Sequence, residues 1–213
     1  ASNVGYGYWS HDIGGHNRAD SDGELFLRWL QFGAFSPILR THATKSTLNE
    51  RRIWMFPEFF PMMKEVIQTR YKFVPYIYQN SRRAYDEGIS LCSPMYYVYP
   101  YREEAYEYSS QYWFGDNIIA APITKKSRKE KKTIDWEVWL PPGEWYAWES
   151  GRVFPGDTVI QERFTLDEIP LYMKKGSIIP LYPDIKNLQN PVEEVIFCLI
   201  PGDSGCIDYY EDD

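Results

Sequence analysis

The stretch VGYGYWSHDIGGH, Val4 to His16, decides how this chain is read. From Val4 to Asp12, apolar and small residues fall on both faces of an extended backbone. That is the pattern of a parallel strand covered on both sides, not of a surface strand. The Asp12-Ile13-Gly14-Gly15 ending then asks for a tight change of direction. Small residues there either serve the turn itself or leave room for something beside it.

Working outward, Ser21-Asp22-Gly23-Glu24 opens a helix, with Leu25, Trp29, Leu30 and Phe32 at helical spacing up to about Ala34. A second strand-like run covers Phe35 to His42. A polar loop to about Pro57 leads into a long helical pattern from Glu58 to Glu87, with Pro61 in its first turn, a kink at Pro75 and Gly88 as its C-cap. Strand, helix, strand, helix in succession marks β/α units.

After Gly88 the pattern changes. Short apolar runs at Pro94–Tyr99, Asn117–Ile123, Val138–Leu140, Leu171–Met173 and Val195–Ile200 are separated by Pro, Gly and Asp. Turn signals at Pro141-Pro142-Gly143-Glu144 and Pro155-Gly156-Asp157, about ten residues apart, predict an antiparallel sandwich. The expected fold class is α/β plus all-β, with a boundary giving residues 1–90 and 91–213. No internal repeat or low-complexity segment is evident.

Composition narrows the function classes. With 213 residues, 44% of them hydrophobic and 17% aromatic, the chain has far too much apolar area to stay unfolded. The aromatic load fits either a sugar-binding surface or a large core. A net charge of −7 argues against a nucleic-acid partner. The basic run from Lys125 to Lys132 reads as a solvated hairpin loop. No stretch approaches the about 20 apolar residues that span a bilayer, so no membrane partner is expected. The chain has no signal peptide and does not begin with Met, and it reads as a piece of a longer protein. Three cysteines, Cys92, Cys198 and Cys206, have no metal-ligand spacing and read as buried free thiols.

Asp12 stands at the C-terminal end of a parallel strand, where β/α barrels gather their chemistry. A turn or helix-cap aspartate fits the local sequence as well. His42 ends the next strand, as a pocket residue or as a buried, satisfied histidine. Arg40 and His42 are two apart and share a face. An arginine on that face needs a partner, and Asp12 on the neighbouring strand is the candidate for a bidentate pair. His11, His16 and His42 exhaust the histidines, and their spacing matches no familiar metal set. No phosphate-binding glycine loop is present.

WSHDIGGH at Trp9–His16 and ELFLRWLQFGAFSPILRTH at Glu24–His42 together resemble glycoside hydrolase family 31, the α-glucosidase and α-xylosidase family. The stretches YKFVPYIY (Tyr71–Tyr78), WFGDNIIAAPI (Trp113–Ile123), WLPPGEWYAWESG (Trp139–Gly151), IPLYMKKGSIIPL (Ile169–Leu181) and YYEDD (Tyr209–Asp213) follow in the family's order. The resemblance implies the last two β/α units of a TIM (β/α)8 barrel, followed by the proximal C-terminal β-sandwich. It implies a retaining α-glycosidase, most simply an α-glucosidase, that acts on α-linked oligosaccharides or glycosides without a cofactor. Such chemistry uses two carboxyl groups about 5–5.5 Å apart. In the family both lie before the Asp-Ile-Gly-Gly motif, so no catalytic residue is assigned here and the remainder of the barrel is the expected partner. By the same resemblance His42 hydrogen-bonds the sugar in subsite −1 and Asp12 lies at the pocket floor, where its carboxylate accepts from a sugar hydroxyl or orients neighbouring groups; the strand alternation above makes Arg40 its support. His16 stands where several members place a phenylalanine against the sugar. Trp113, Trp139, Trp145 and Trp148 read as core, not as a sugar platform. An α-xylosidase, a transglycosylase or a glucan lyase shares the scaffold. The rival from another class, a non-catalytic carbohydrate-binding or structural module, would be β throughout, against the helical half from Gly23 to Glu87.

Overall fold

The computed structural model describes residues 1–17, 22–46, 49, 51–127 and 132–212. Ser21, at the expected start of the first helix, and residues 128–131 of the basic run lie outside them. The described residues form the α-helices α1 (Gly23–Ala34), α2 (Phe60–Lys72), α3 (Val74–Glu87) and the short α4 (Glu104–Glu107). Asp22 caps α1, its Oδ1 accepting from the N–H groups of Glu24 and Leu25 at 3.1 Å each. The expected long helix is two: it breaks at Phe73, where Pro75 in the first turn of α3 has no N–H to continue the α2 ladder. Gly88, left-handed at φ 73°, ends α3 as expected.

The anticipated first strand is not formed. Ser2–Val4 is a 3-10 turn, and Val4, Tyr6 and Tyr8 are exposed. Among the described residues, the two expected barrel strands share one isolated parallel bridge, Ile13 to Thr41. A parallel strand holds its shape through neighbours on both edges, and the described residues provide Val4–Asp12 with no ladder partner.

The second half is antiparallel. Strands β1 (Cys92–Pro94), β2 (Tyr112–Phe114), β3 (Ile118–Ala120), β5 (Glu144–Ala147), β6 (Val153–Pro155) and β8 (Leu171–Lys174) form one sheet in the order β1-β2-β3-β8-β5-β6. Strands β4 (Ile134–Leu140) and β7 (Thr158–Phe164) pair as one ribbon, β9 (Ile178–Leu181) and β10 (Ile196–Leu199) as another. The predicted run at Pro94–Tyr99 is instead a 3-10 turn from Met95 to Tyr97 after β1. The basic run does not close a hairpin either, because β3 pairs with β2 and β8 while β4 pairs with β7. Lys126 pairs with Asp22 at 2.6 Å and Lys132 with Glu58 at 2.6 Å.

Alternation explains why the central strands are apolar on both faces. Ile118, Ala120, Leu171 and Met173 join the core beneath α1, α2 and α3, together with Leu27, Leu30, Phe35 and Phe73. Their neighbours Ile119 and Tyr172 point the other way, into a second core with Val138, Trp139 and Trp145. Trp113, Trp139 and Trp145 are buried, and Trp148 packs on Phe73 with ring centroids 5.2 Å apart. Only one of the three thiols is fully buried: Cys92 is inside, Cys198 is half-buried and Cys206 is exposed.

Buried polar groups hold the two halves together. On α1, Arg28 donates to the backbone oxygens of Thr165 at 2.9 Å and Glu168 at 3.2 Å, and Gln31 donates to Leu166 O at 2.8 Å. From α3, the Tyr76 hydroxyl donates to Phe114 O at 2.9 Å. No described helix is long and apolar enough to cross a membrane.

Candidate functional site

The Ile13–Thr41 bridge sets the geometry of everything around it. Ile13 is fully buried and presses on α1 so closely that a Cβ on Gly33 would sit 2.4 Å from its Cδ1. With Ile13 turned towards the helix, its neighbour Asp12 turns the opposite way. Thr41 pairs with Ile13, so Arg40 and His42 flank it on the side Asp12 faces.

The turn after Ile13 needs its glycines. Gly14 and Gly15 have φ of 88° and 86°, in the left-handed region, and a Cβ on Gly14 would lie 2.5 Å from Arg51 Cδ. Arg51 is buried and donates to Gly15 O from Nε at 3.0 Å and from Nη2 at 2.6 Å. It lies in a loop that periodicity reads only as polar, and no local signal marks it. The glycines thus serve the turn and also make room for an arginine side chain.

Asp12 divides its oxygens. Oδ1 accepts from Arg40 Nη2, while Oδ2 lies 2.9 Å from His16 Nδ1. The Arg40–Asp12 pair is present but is not the expected bidentate fork, because His16 takes the second oxygen. Partial burial works to raise the Asp12 carboxyl. The charge and hydrogen bond of Arg40, with His42 and His16, outweigh it and hold the group below the usual carboxylate range. The rings of His16 and His42 are 5.1 Å apart. One ligand-capable atom from each of Asp12, His16 and His42 lies within 4.8 Å of the others. Histidine spacing along the chain does not reveal this cluster, because the Gly14-Gly15 turn and the bridge build it.

His11 goes elsewhere. It stacks on Phe32 with centroids 4.6 Å apart, and its Nδ1 accepts from Trp29 Nε1 at 2.8 Å. The remaining hydrogen is therefore on Nε2, which is 3.3 Å from Ser36 Oγ. Ser36 Oγ in turn donates to Phe32 O at 3.0 Å. Burial pulls the His11 imidazole below its ordinary value, and Asp12 opposes the shift only in part. A folded value below the unfolded one means that the unfolded chain binds more protons on acidification. The stability that this histidine contributes is full above about pH 6.5 and is lost as pH falls through the lowered folded value. Urea unfolding measured from pH 7.5 to 5 should show that decline, and His11→Gln should flatten it. Identical slopes in both proteins would exclude His11 as the source.

Beyond His11 a cavity of 720 Å³ opens along the outer face of α1, lined by Trp9, Leu25, Trp29, Phe32, Ile123 and Lys125 among others. Phe26, Leu27 and Leu30 serve the chain's own core, while Leu25, Trp29 and Phe32 face this groove.

The model of the family 31 TIM-barrel domain matches residues 1–80, and the model of the family 31 C-terminal domain matches residues 88–179. An α-xylosidase of Saccharolobus solfataricus is 32% identical over 98% of this chain and 28% of its own length. A 1,6-α-glucosyltransferase of Sporosarcina globispora is 34% identical over 84% of this chain and 14% of its own. Among solved structures, the cycloalternan-forming enzyme of Listeria monocytogenes, in complex with a pentasaccharide substrate, superposes with a TM-score of 0.90 at 28% identity, covering 99% of this chain and 21% of that one. A Flavobacterium johnsoniae dextranase complexed with isomaltotriose gives 0.84 at 30% identity, covering 95% and 25%. The chain belongs to glycoside hydrolase family 31. It spans about a quarter of the length of most of these relatives.

Proposed function

We propose that this chain is the C-terminal part of a retaining α-glycosidase, most simply an α-glucosidase, releasing terminal α-linked sugars from oligosaccharides. Residues 1–90 contribute the last two β/α units of its barrel, and residues 91–213 contribute a proximal β-sandwich that braces them. The observation that carries this reading is the convergence of Asp12, Arg40 and His42 on one side of the Ile13–Thr41 bridge, in a chain of this family. That side corresponds to the C-terminal ends of barrel strands, where such folds hold their substrates.

Each residue has a definite task in subsite −1. The Asp12 carboxylate accepts from a sugar hydroxyl while Arg40 fixes its orientation. His42 donates one ring N–H to a second hydroxyl. His16, beside both, borders the subsite and adjusts what fits there. The nucleophile and the acid/base are carboxyl groups on earlier barrel strands, about 5–5.5 Å apart across the scissile bond. The rest of the barrel supplies the other walls of the pocket and covers the apolar groove along α1.

One observation favours a second reading. The relative that is 32% identical over nearly the whole chain is an α-xylosidase, and an α-xyloside is therefore the rival substrate. The test assays residues 1–213 alone and joined to the rest of the barrel, on 4-nitrophenyl α-glucoside, maltose, isomaltose and an α-xyloside. The joined polypeptide should turn over an α-glucoside faster than the α-xyloside. The 213 residues alone should show none, since two barrel strands do not close a barrel. Turnover by the isolated chain would overturn the division of roles.

A further inference from the structure

We propose that Asp12, His16 and His42 form a binding site for a first-row transition-metal dication, with zinc as the representative ion. The binding itself stands on geometry alone. The further claim, that the ion excludes sugar, rests on the subsite reading above.

Two imidazoles and one carboxylate with an open fourth position are a donor set suited to Zn²⁺, Co²⁺, Ni²⁺ or Cu²⁺. Mg²⁺ and Ca²⁺ prefer oxygen shells and gain little from ring nitrogens. Asp12 Oδ2 and His16 Nδ1 already face each other at 2.9 Å, sharing a position that a metal ion can take from a proton. His42 closes the third corner, with all three donor atoms inside 4.8 Å. Tetrahedral zinc, with bonds of about 2.0–2.2 Å, places donor atoms about 3.4 Å apart. His16 and His42 are both exposed, so small ring movements cover the difference.

The backbone that carries these donors is held on both flanks. Thr44 N–H donates to His16 O at 3.0 Å, tying the His16 turn to the segment that follows His42. Arg51 grips the adjacent Gly15 O from the other side. Arg40 works against the ion, because its positive charge occupies Asp12 Oδ1. It therefore weakens the site without blocking Oδ2.

The test titrates zinc calorimetrically into the full-length enzyme after chelator treatment, and follows cobalt by its visible absorption. One equivalent should bind, with tetrahedral cobalt bands, while magnesium and calcium give no heat. His16→Phe, and separately His16→Gln, should weaken binding by at least about tenfold through loss of one donor. Arg40→Gln should tighten it, and Cys206→Ser, which removes the exposed thiol, should leave it unchanged. Absence of zinc binding, or binding lost in Cys206→Ser instead of the His16 variants, overturns the proposal. In a parallel arm, zinc should inhibit maltose hydrolysis competitively. Binding that depends on His16 without inhibition would keep the metal site and sink the sugar-subsite reading. An enzyme that needs Asp12 for turnover yet binds no zinc would do the reverse.

Discussion

Replacing Arg70 with alanine should lower the unfolding free energy by about 3 kcal/mol, from loss of charge-assisted bonds to carbonyls left buried. Arg70 lies in the last turn of α2 and reaches across to the end of α1. Its Nη1 donates to Ala34 O at 2.8 Å and to Ser36 O, and its Nη2 donates to Pro37 O at 2.7 Å. These are carbonyls at and just beyond a helix C-terminus, which the ladder leaves without partners and the macrodipole makes negative. Burial pulls the guanidinium down to about 10, against the weaker opposing influence of Cys92 and Tyr112, so the group remains charged at neutral pH. The planar fork reaches three acceptors at once, which an ammonium cannot do from one position. Arg70→Lys should therefore recover less than half of the loss. Chemical denaturation monitored by Trp fluorescence measures both variants. A loss below about 1 kcal/mol for the alanine variant would mean that water reaches those carbonyls, and the anchoring role would fall.

The second large effect is on turnover. Asp12→Ala in the full-length enzyme should reduce kcat/KM by about 100-fold. Two losses combine. On the proposed reading a sugar hydroxyl loses a charged acceptor, and Arg40 and His16 lose their carboxylate partner. Asp12→Asn keeps the shape and one acceptor oxygen and should fall between the two, at roughly tenfold. Because Arg40 holds the Asp12 carboxyl low, Asp12 stays ionised at mildly acid pH. The acid limb of the rate profile should therefore not be set by its titration. Steady-state kinetics on maltose across pH 4 to 7 reads all of this. A change in kcat/KM of less than threefold for Asp12→Ala would remove Asp12 from the site.

Much of this organisation is legible in local sequence. Asp22 before Gly23-Glu24, Pro61 and Pro75 near helix starts, and Gly88 after Glu87 are signals whose physics acts within a turn. Helical spacing gives way to short-strand spacing near Gly88, and that change of period is also local. Two-residue spacing likewise puts Arg40 and His42 on one face, with Asp12 as the partner of Arg40.

Other features depend on what surrounds a segment. Val4–Asp12 has the composition of a buried parallel strand, yet it forms no ladder here, because strand geometry is satisfied only by a neighbour's hydrogen bonds. Leu25, Trp29 and Phe32 share the periodicity of core residues but line an open groove, since period alone does not say which neighbour covers a helix stripe.

Motif order and alternation are local properties, so the family, the two kinds of structure in the chain and the shared face of Arg40 and His42 can be read along the sequence. Packing in space sets the rest: His11 turns inward against Trp29, Arg51 fills the space beside Gly14, and His16 shares Asp12 with Arg40. Those contacts join residues up to 37 positions apart, from Gly14 to Arg51, and their energies depend on burial and separation in space, which spacing along the chain does not encode.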